Sequence, residues 1–447
     1  MIAGAQAQDS YLESFAQFEN GAARNGQGWL SPIRRAAITR FSELGFPTTH
    51  DEDWRFTNVA PIAQTPFRLA QDSGTELAPP ELEQFRFSGL ACNRFVFVNG
   101  RYAPRLSSPQ PLPDDVKVNS LAHALTAERD SLEQHLARYA DYQHDAFCAL
   151  NRAFMEDGAF VGIPPGTVLQ EPIYLLYVST ASAVPTVVHA RNLILVGEDS
   201  QATVVEEYVS LSASVHFSNV VTELVAGENS VLTHYLIERE SMQAFNVSTL
   251  RIQQGRRSNV TSHSVLLGGA LVRNNVHPVL AGEGCDCLIN GLFMATGQQH
   301  MDNYMKVEHA SRHCNSRQFY NGILDGKSRG VFHGRIIVHK DAQKTDAKQT
   351  NKNLLLSDEA QIDTKPQLEI YADDVKCTHG ATIGQIDEDA IFYLRSRGIA
   401  EASARDLLLS AFASENFQRM KADPLRSYLE ALVKQWLSRG DLLEKAR

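Results

Sequence analysis

LVGEDSQATV (residues 195–204), LVAGENSVLT (224–233), IQQGRRSNVT (252–261) and LAGEGCDCLI (280–289) repeat one arrangement, in which an apolar run meets a glycine turn and a second run follows. The turn glycines Gly197, Gly227, Gly255 and Gly282 are 30, 28 and 27 residues apart. Between them, LILVG (193–197), ATVVEEYV (202–209), VSTLRI (247–252) and, later, FHGRIIVH (332–339) alternate with the period of two that a strand requires. Further turns at Asp325-Gly326, Lys340-Asp341, Asp358 and Asp373-Asp374 fall at about half the first interval. A strand, turn, strand unit of this length predicts a solenoid, whereas a β-sandwich rarely keeps one turn motif in step over successive repeats. We therefore expect a β-helix over residues 159–394.

The flanks read differently. Residues 1–158 mix helical and irregular stretches and predict a separate N-terminal domain. In SPIRRAAITRFSELG (31–45) a Ser-Pro start and a glycine stop bracket a helix, and further helical patterns run from Leu121 to Ala137 and from Ala140 to Met155. Residues 395–447 turn helical again. One stripe there carries Leu407, Leu408, Ala411 and Phe412, and another carries Leu425, Tyr428, Leu429, Leu432, Val433 and Trp436, with Pro424 near its start. Such a stripe serves equally to shield the open end of a solenoid or to dock a partner.

A chain of 447 residues with 43% apolar content can bury a sizeable core. Its net charge of -10, without a basic cluster, argues against a nucleic-acid partner. The start MIAGAQAQDSYLESF lacks the charged and apolar segments of a secretory signal, and no run reaches the roughly 18 apolar residues of a membrane span. Six cysteines are too few for a disulfide scaffold at this length, so a reducing cytoplasm is the expected setting.

Four segments carry candidate chemistry. YNGILDGKSRG (320–330) resembles a phosphate loop but has three residues between its glycines and runs into a strand pattern, so no ATP binding is expected of this chain. Cys285 and Cys287 in GEGCDCLING face one way on a strand and read as core. His309, His313 and Cys314 in KVEHASRHCNSRQ would share a face only in a helix, and their surroundings read as strand and turn. In YADDVKCTHGATIG (371–384), Cys377 and His379 lie two apart on a strand and project side by side. They suit zinc or an iron-sulfur centre but are too few for a four-coordinate site. Core packing and a turn histidine are the plain alternative.

DEDWRFTNVAPI (51–62), the block from Ser316 to Gly384 and DEDAIFYLRSRGI (387–399) resemble the SufB/SufD family of iron-sulfur cluster assembly scaffolds, densely over residues 311–413 and more loosely over the N-terminal third. The resemblance implies a mainly β protein: a right-handed parallel β-helix core between a mixed α/β N-terminal domain and a C-terminal α-helical domain. It implies a non-enzymatic scaffold subunit whose partners are a SufB paralogue, met β-helix end to β-helix end, and the SufC ATPase, docked on the C-terminal helices around Leu425, Leu429, Leu432 and Trp436. A homodimer is the alternative assembly in isolation. It also implies a transient iron-sulfur cluster at the SufB interface, with His379 as a metal-facing group and Cys377 as its neighbour, and associates the complex with reduced flavin, for which no segment here is a recognisable site. SufB-type members carry a cysteine in a CDSLL segment. NKNLLLSD (351–358) places Asn351 there, so the scaffold thiolate is missing and the SufD-type branch fits. The rival from another class is a carbohydrate-active β-helix enzyme using Asp325, Asp373 and Asp374.

Overall fold

The computed structural model describes residues 2–22, 27–70, 77–420 and 423–444. Its centre is a parallel β-solenoid of about eight turns. Each turn lays one strand in each of two sheets. The first sheet runs from Ala159–Ile163 to Gln361–Ile370, and the second from Ile173–Ser179 to Lys376–Gly384. The register never slips within the central strands; His234 pairs with Ser262, Ser262 with Ile289, Ile289 with Gln318 and Gln318 with Gln349. Inward positions such as Leu250, Val276, Met305 and Ile336 form the continuous core between the sheets.

The glycine turn that sets the period joins a first-sheet strand to the next second-sheet strand. Its glycine is required by contact with the preceding coil. A Cβ on Gly227 would lie 2.8 Å from Glu198 N, and one on Gly282 would lie 2.1 Å from Arg256 N. Two residues on, Asp199, Asn229 and Arg257 take the left-handed conformation, with φ of 55°, 53° and 54°. One residue further, Ser230 and Ser258 close the turn by donating to the carbonyls of Gly227 and Gly255, both at 2.8 Å. The later turns come at half the spacing because they sample both corners: Asp325 and Asp358 lie at one, Asp341 and Asp373 at the other.

Helices cover both outer faces. Phe147 of Ala146–Phe154 and Trp54 pack with Phe217, Val247 and Leu271 of the first sheet. The N-terminal region is also continuous with the solenoid, because Asn93–Val98 pairs in parallel with Ile173–Ser179 and Lys117–Ser120 pairs antiparallel with Ala159–Ile163. The helix expected over 31–45 forms as Ser31–Leu44. That expected over 121–137 is two, Leu121–Ala127 and Arg129–His135, and that expected from Ala140 begins at Ala146, where the Asp145 side chain caps it by accepting from Phe147 N and Cys148 N.

The C-terminal helices Glu401–Phe417 and Asp423–Glu444 lie along the second sheet and do not cap the solenoid end. Leu409, Ala413, Phe417, Leu425 and Leu429 pack with Tyr235, Ile237, Leu292 and Met294. The Tyr428 hydroxyl donates to Glu207 at 2.8 Å, and Glu207 also pairs with Arg239 at 2.6 Å.

Candidate functional site

The strand Lys376–Gly384 is the last of the second sheet and pairs on one edge only, with Asp346–Leu355; Gln361–Ile370 ends the first sheet in the same way. The final coil therefore presents two free strand edges, a template for pairing with another chain. Apolar side chains crowd it: Ile370, Tyr371 and Ile383 are 41%, 63% and 51% exposed. No sequence pattern marks Ile370 and Ile383 as surface, because their counterparts one coil earlier, Val338 and Asn353, are buried.

Cys377 and His379 sit on this strand, opposite Ala347 and Gln349 of the preceding coil. Ala347 belongs to the solenoid core, so both side chains occupy inward-directed positions of a coil on which, among the described residues, no further coil stacks. Their Cα atoms are about 6.5 Å apart, the i, i+2 repeat of a strand. Cys377 is half-buried against the core and His379 is exposed. Burial pushes the Cys377 thiol above its ordinary value, and the Asp346 carboxylate adds to this. That thiol ionises readily only beside a metal or other positive charge. Behind His379, Gln349 is held by Gln318, to which its Nε2 donates at 2.8 Å.

Among the described residues, no group of three or more His, Cys, Asp or Glu side chains is placed to hold a metal ion. Cys377 and His379 offer two donors at most. Asn351 is buried one coil back, donating to Tyr320 O at 3.3 Å and to Asn353. His309 is buried against Ser316 at 2.8 Å, while His313 lies in an exposed turn with φ 60°. The two share no face. Asp325 lies at the opposite corner of the coil from Asp373 and Asp374, so the three carboxylates of the rival reading do not converge. Gly322 to Ser328 forms the end of one strand and a turn into Arg329–Val338.

The stripe expected to dock a partner packs inward in this chain. Leu425 and Leu429 are fully buried, Leu432 is 8% exposed and Trp436 is partly buried, all against the chain's own second sheet and neighbouring helix. A partner can meet only the outward faces of these helices. The stripe of the preceding helix is also rotated: Leu409 and Ala413 are buried, whereas Leu407 is 53% exposed. Phe392 and Tyr393, on Glu388–Ser396, are 73% and 56% exposed. DEDWRFTN serves a packing purpose, with Trp54 stacked on the Arg273 guanidinium at 4.0 Å and Thr57 bonded to His300 at 2.9 Å.

Two family models match the chain: the SUF system FeS cluster assembly SufBD core domain over residues 177–412, and the SufBD protein N-terminal region over residues 5–175. An iron-sulfur cluster assembly SufBD family protein of Synechocystis is 34% identical over 408 residues, 90% of this chain and 89% of the relative. The iron-sulfur cluster assembly protein SufD of Escherichia coli is 32% identical over 412 residues, 92% of this chain and 94% of the relative. That of Bacillus subtilis is 24% identical over 438 residues, 95% and 97% of the two chains.

Proposed function

Since the chain belongs to the SufB/SufD family of iron-sulfur cluster assembly proteins and is of the SufD type, we propose that it is a scaffold subunit, contributing structure and one or two ligands rather than catalysis. The nascent cluster is its cargo. It forms where the open final coil meets the corresponding end of a SufB-type paralogue, with His379 as a donor and Cys377 beside it. The observation that supports this reading is the position of His379: exposed, inward-directed and on a strand with one free edge. A half site in that place is completed by a partner stacked on the coil. An imidazole nitrogen offers its lone pair to a soft metal directly, whereas the raised Cys377 thiol must first lose its proton. The ATPase subunit docks on the outward faces of the C-terminal helices and supplies the nucleotide chemistry, in a cytoplasmic complex.

The test is co-expression with the paralogue and the ATPase, followed by anaerobic reconstitution and measurement of iron, sulfide and the visible spectrum. His379→Ala should cut cluster content strongly while the complex still assembles, and Cys377→Ser should have the smaller effect. Wild-type cluster content in His379→Ala complexes would show that His379 is no ligand.

A further inference from the structure

Cys285 and Cys314 occupy the same position in successive coils. Asp286 pairs with Asn315, and Asn315 N donates to Cys285 O at 2.8 Å. Both sulfurs meet one carbonyl: Cys285 Sγ is 3.1 Å and Cys314 Sγ 3.3 Å from Gly282 O. In the two coils before, the position holds Ser230 and Ser258, whose hydroxyls close the same turn. Thiols thus replace a hydroxyl ladder at two adjacent rungs.

We propose that Cys285 and Cys314 form a reversible inter-coil disulfide on exposure to a peroxide-class oxidant. Neighbouring strands run about 4.8 Å apart, and a disulfide spans Cα atoms about 4.4–6.8 Å apart, so the backbone is already at bridging distance. Both cysteines are free and buried, yet each lies directly beneath a turn whose outer residues, Glu283, Arg312 and His313, are exposed. The adjacent Cys314 thiol pushes Cys285 down to about 7, while Cys314 is raised by the same contact. Either thiol of the pair can react first, and the lower value favours Cys285. The Cys285 thiolate attacks one peroxide oxygen, the O–O bond breaks, and Cys285 becomes a sulfenic acid as hydroxide leaves. The Cys314 sulfur then attacks the Cys285 sulfur, the S–S bond forms and the sulfenic oxygen leaves as water with the Cys314 proton. Two thiols and one peroxide give one disulfide and two waters, the two electrons passing from sulfur to oxygen. Cys287, two residues on, is pushed up by burial and is not a partner.

The full-length protein is treated with hydrogen peroxide, quenched, denatured, blocked with a thiol reagent and analysed by mass spectrometry, with and without subsequent reduction. The expected result is loss of two hydrogens and two blockable thiols, a linked peptide joining Cys285 to Cys314, and full recovery on reduction. Cys285→Ser and Cys314→Ser should each abolish the link, as serine is native to this position in neighbouring coils, while Cys287→Ser should retain it. The proposal is overturned if Cys285 and Cys314 remain blockable while another thiol such as Cys377 oxidises, or if either is linked to Cys287. The wild-type peptide map decides the matter even if a variant fails to fold.

Discussion

Gly282 and Gly380 show how one residue type carries different weight along the same fold. A Cβ at Gly282 would enter the backbone of the preceding coil, 2.1 Å from Arg256 N, whereas one at Gly380 meets nothing within 4 Å. Neither residue has a positive φ, so space alone separates them. We expect Gly282→Ala to destabilise the isolated protein by about 1–3 kcal/mol, the usual range for overpacking, and Gly380→Ala to leave it within about 0.5 kcal/mol. Urea titration of both variants checks this, and equal midpoints would remove coil contact as the reason for the glycine period. The same contrast explains what the sequence made legible at the site. Spacing alone placed Cys377 and His379 on one strand face. That this strand is the last, with a free edge and His379 in the open, depends on where stacking stops, and the alternation of YADDVKCTHGATIG is no different from that of a buried coil.

Among the elements, the C-terminal helices show periodicity identifying an apolar face without identifying what covers it. Leu425 and Leu429 were legible as a stripe, but Tyr235, Ile237 and Leu292 of the second sheet, which bury them, lie more than a hundred residues away in the chain. In Glu401–Phe417 three successive leucines, Leu407 to Leu409, blur the phase, and the buried one is Leu409. The glycine-turn coils were legible because each repeats the same local constraint. We expect removal of residues 400–447 to leave the second sheet bare and the protein aggregating or melting lower, which thermal scanning and size-exclusion chromatography would show. Leu407→Glu and Phe392→Glu should instead keep the wild-type melting profile, since both side chains already face solvent, and weaken capture of the ATPase subunit. Undiminished capture by both variants would place the docking face elsewhere.

The whole molecule is asymmetric along the solenoid axis: at one end Lys117–Ser120 and the Asn93–Val98 hairpin close the sheets, while the other ends on bare edges. Between them the packed layers hold histidines away from water. Burial pushes His189 and His263 down to about 3, and His300 and His309 down to about 4. Their folded values lie below the ordinary 6.5, so the unfolded chain takes up protons between about pH 6.5 and 4 that the folded chain refuses. Stability from these groups is present above that window and is lost as pH falls through it, each contributing a slope of up to about 1.4 kcal/mol per pH unit. Four groups act in the opposite sense, among them Asp145 and Asp157, both raised by burial. Glu238 is pushed up to about 8 by burial and the adjacent Glu240, and His216 is raised by its bond to Glu240, so both favour the folded state at lower pH. Burial depresses His135, His277 and His333 as well, and seven depressed histidines outweigh four raised groups, so the net expectation is acid destabilisation. Urea midpoints should therefore drop steadily from about pH 7 to about pH 5, and a His300→Gln, His309→Gln double variant should show a shallower drop than wild type. Midpoints that hold constant over that range, or a double variant as pH-sensitive as the wild type, would mean that the buried imidazoles accept protons without opening the fold.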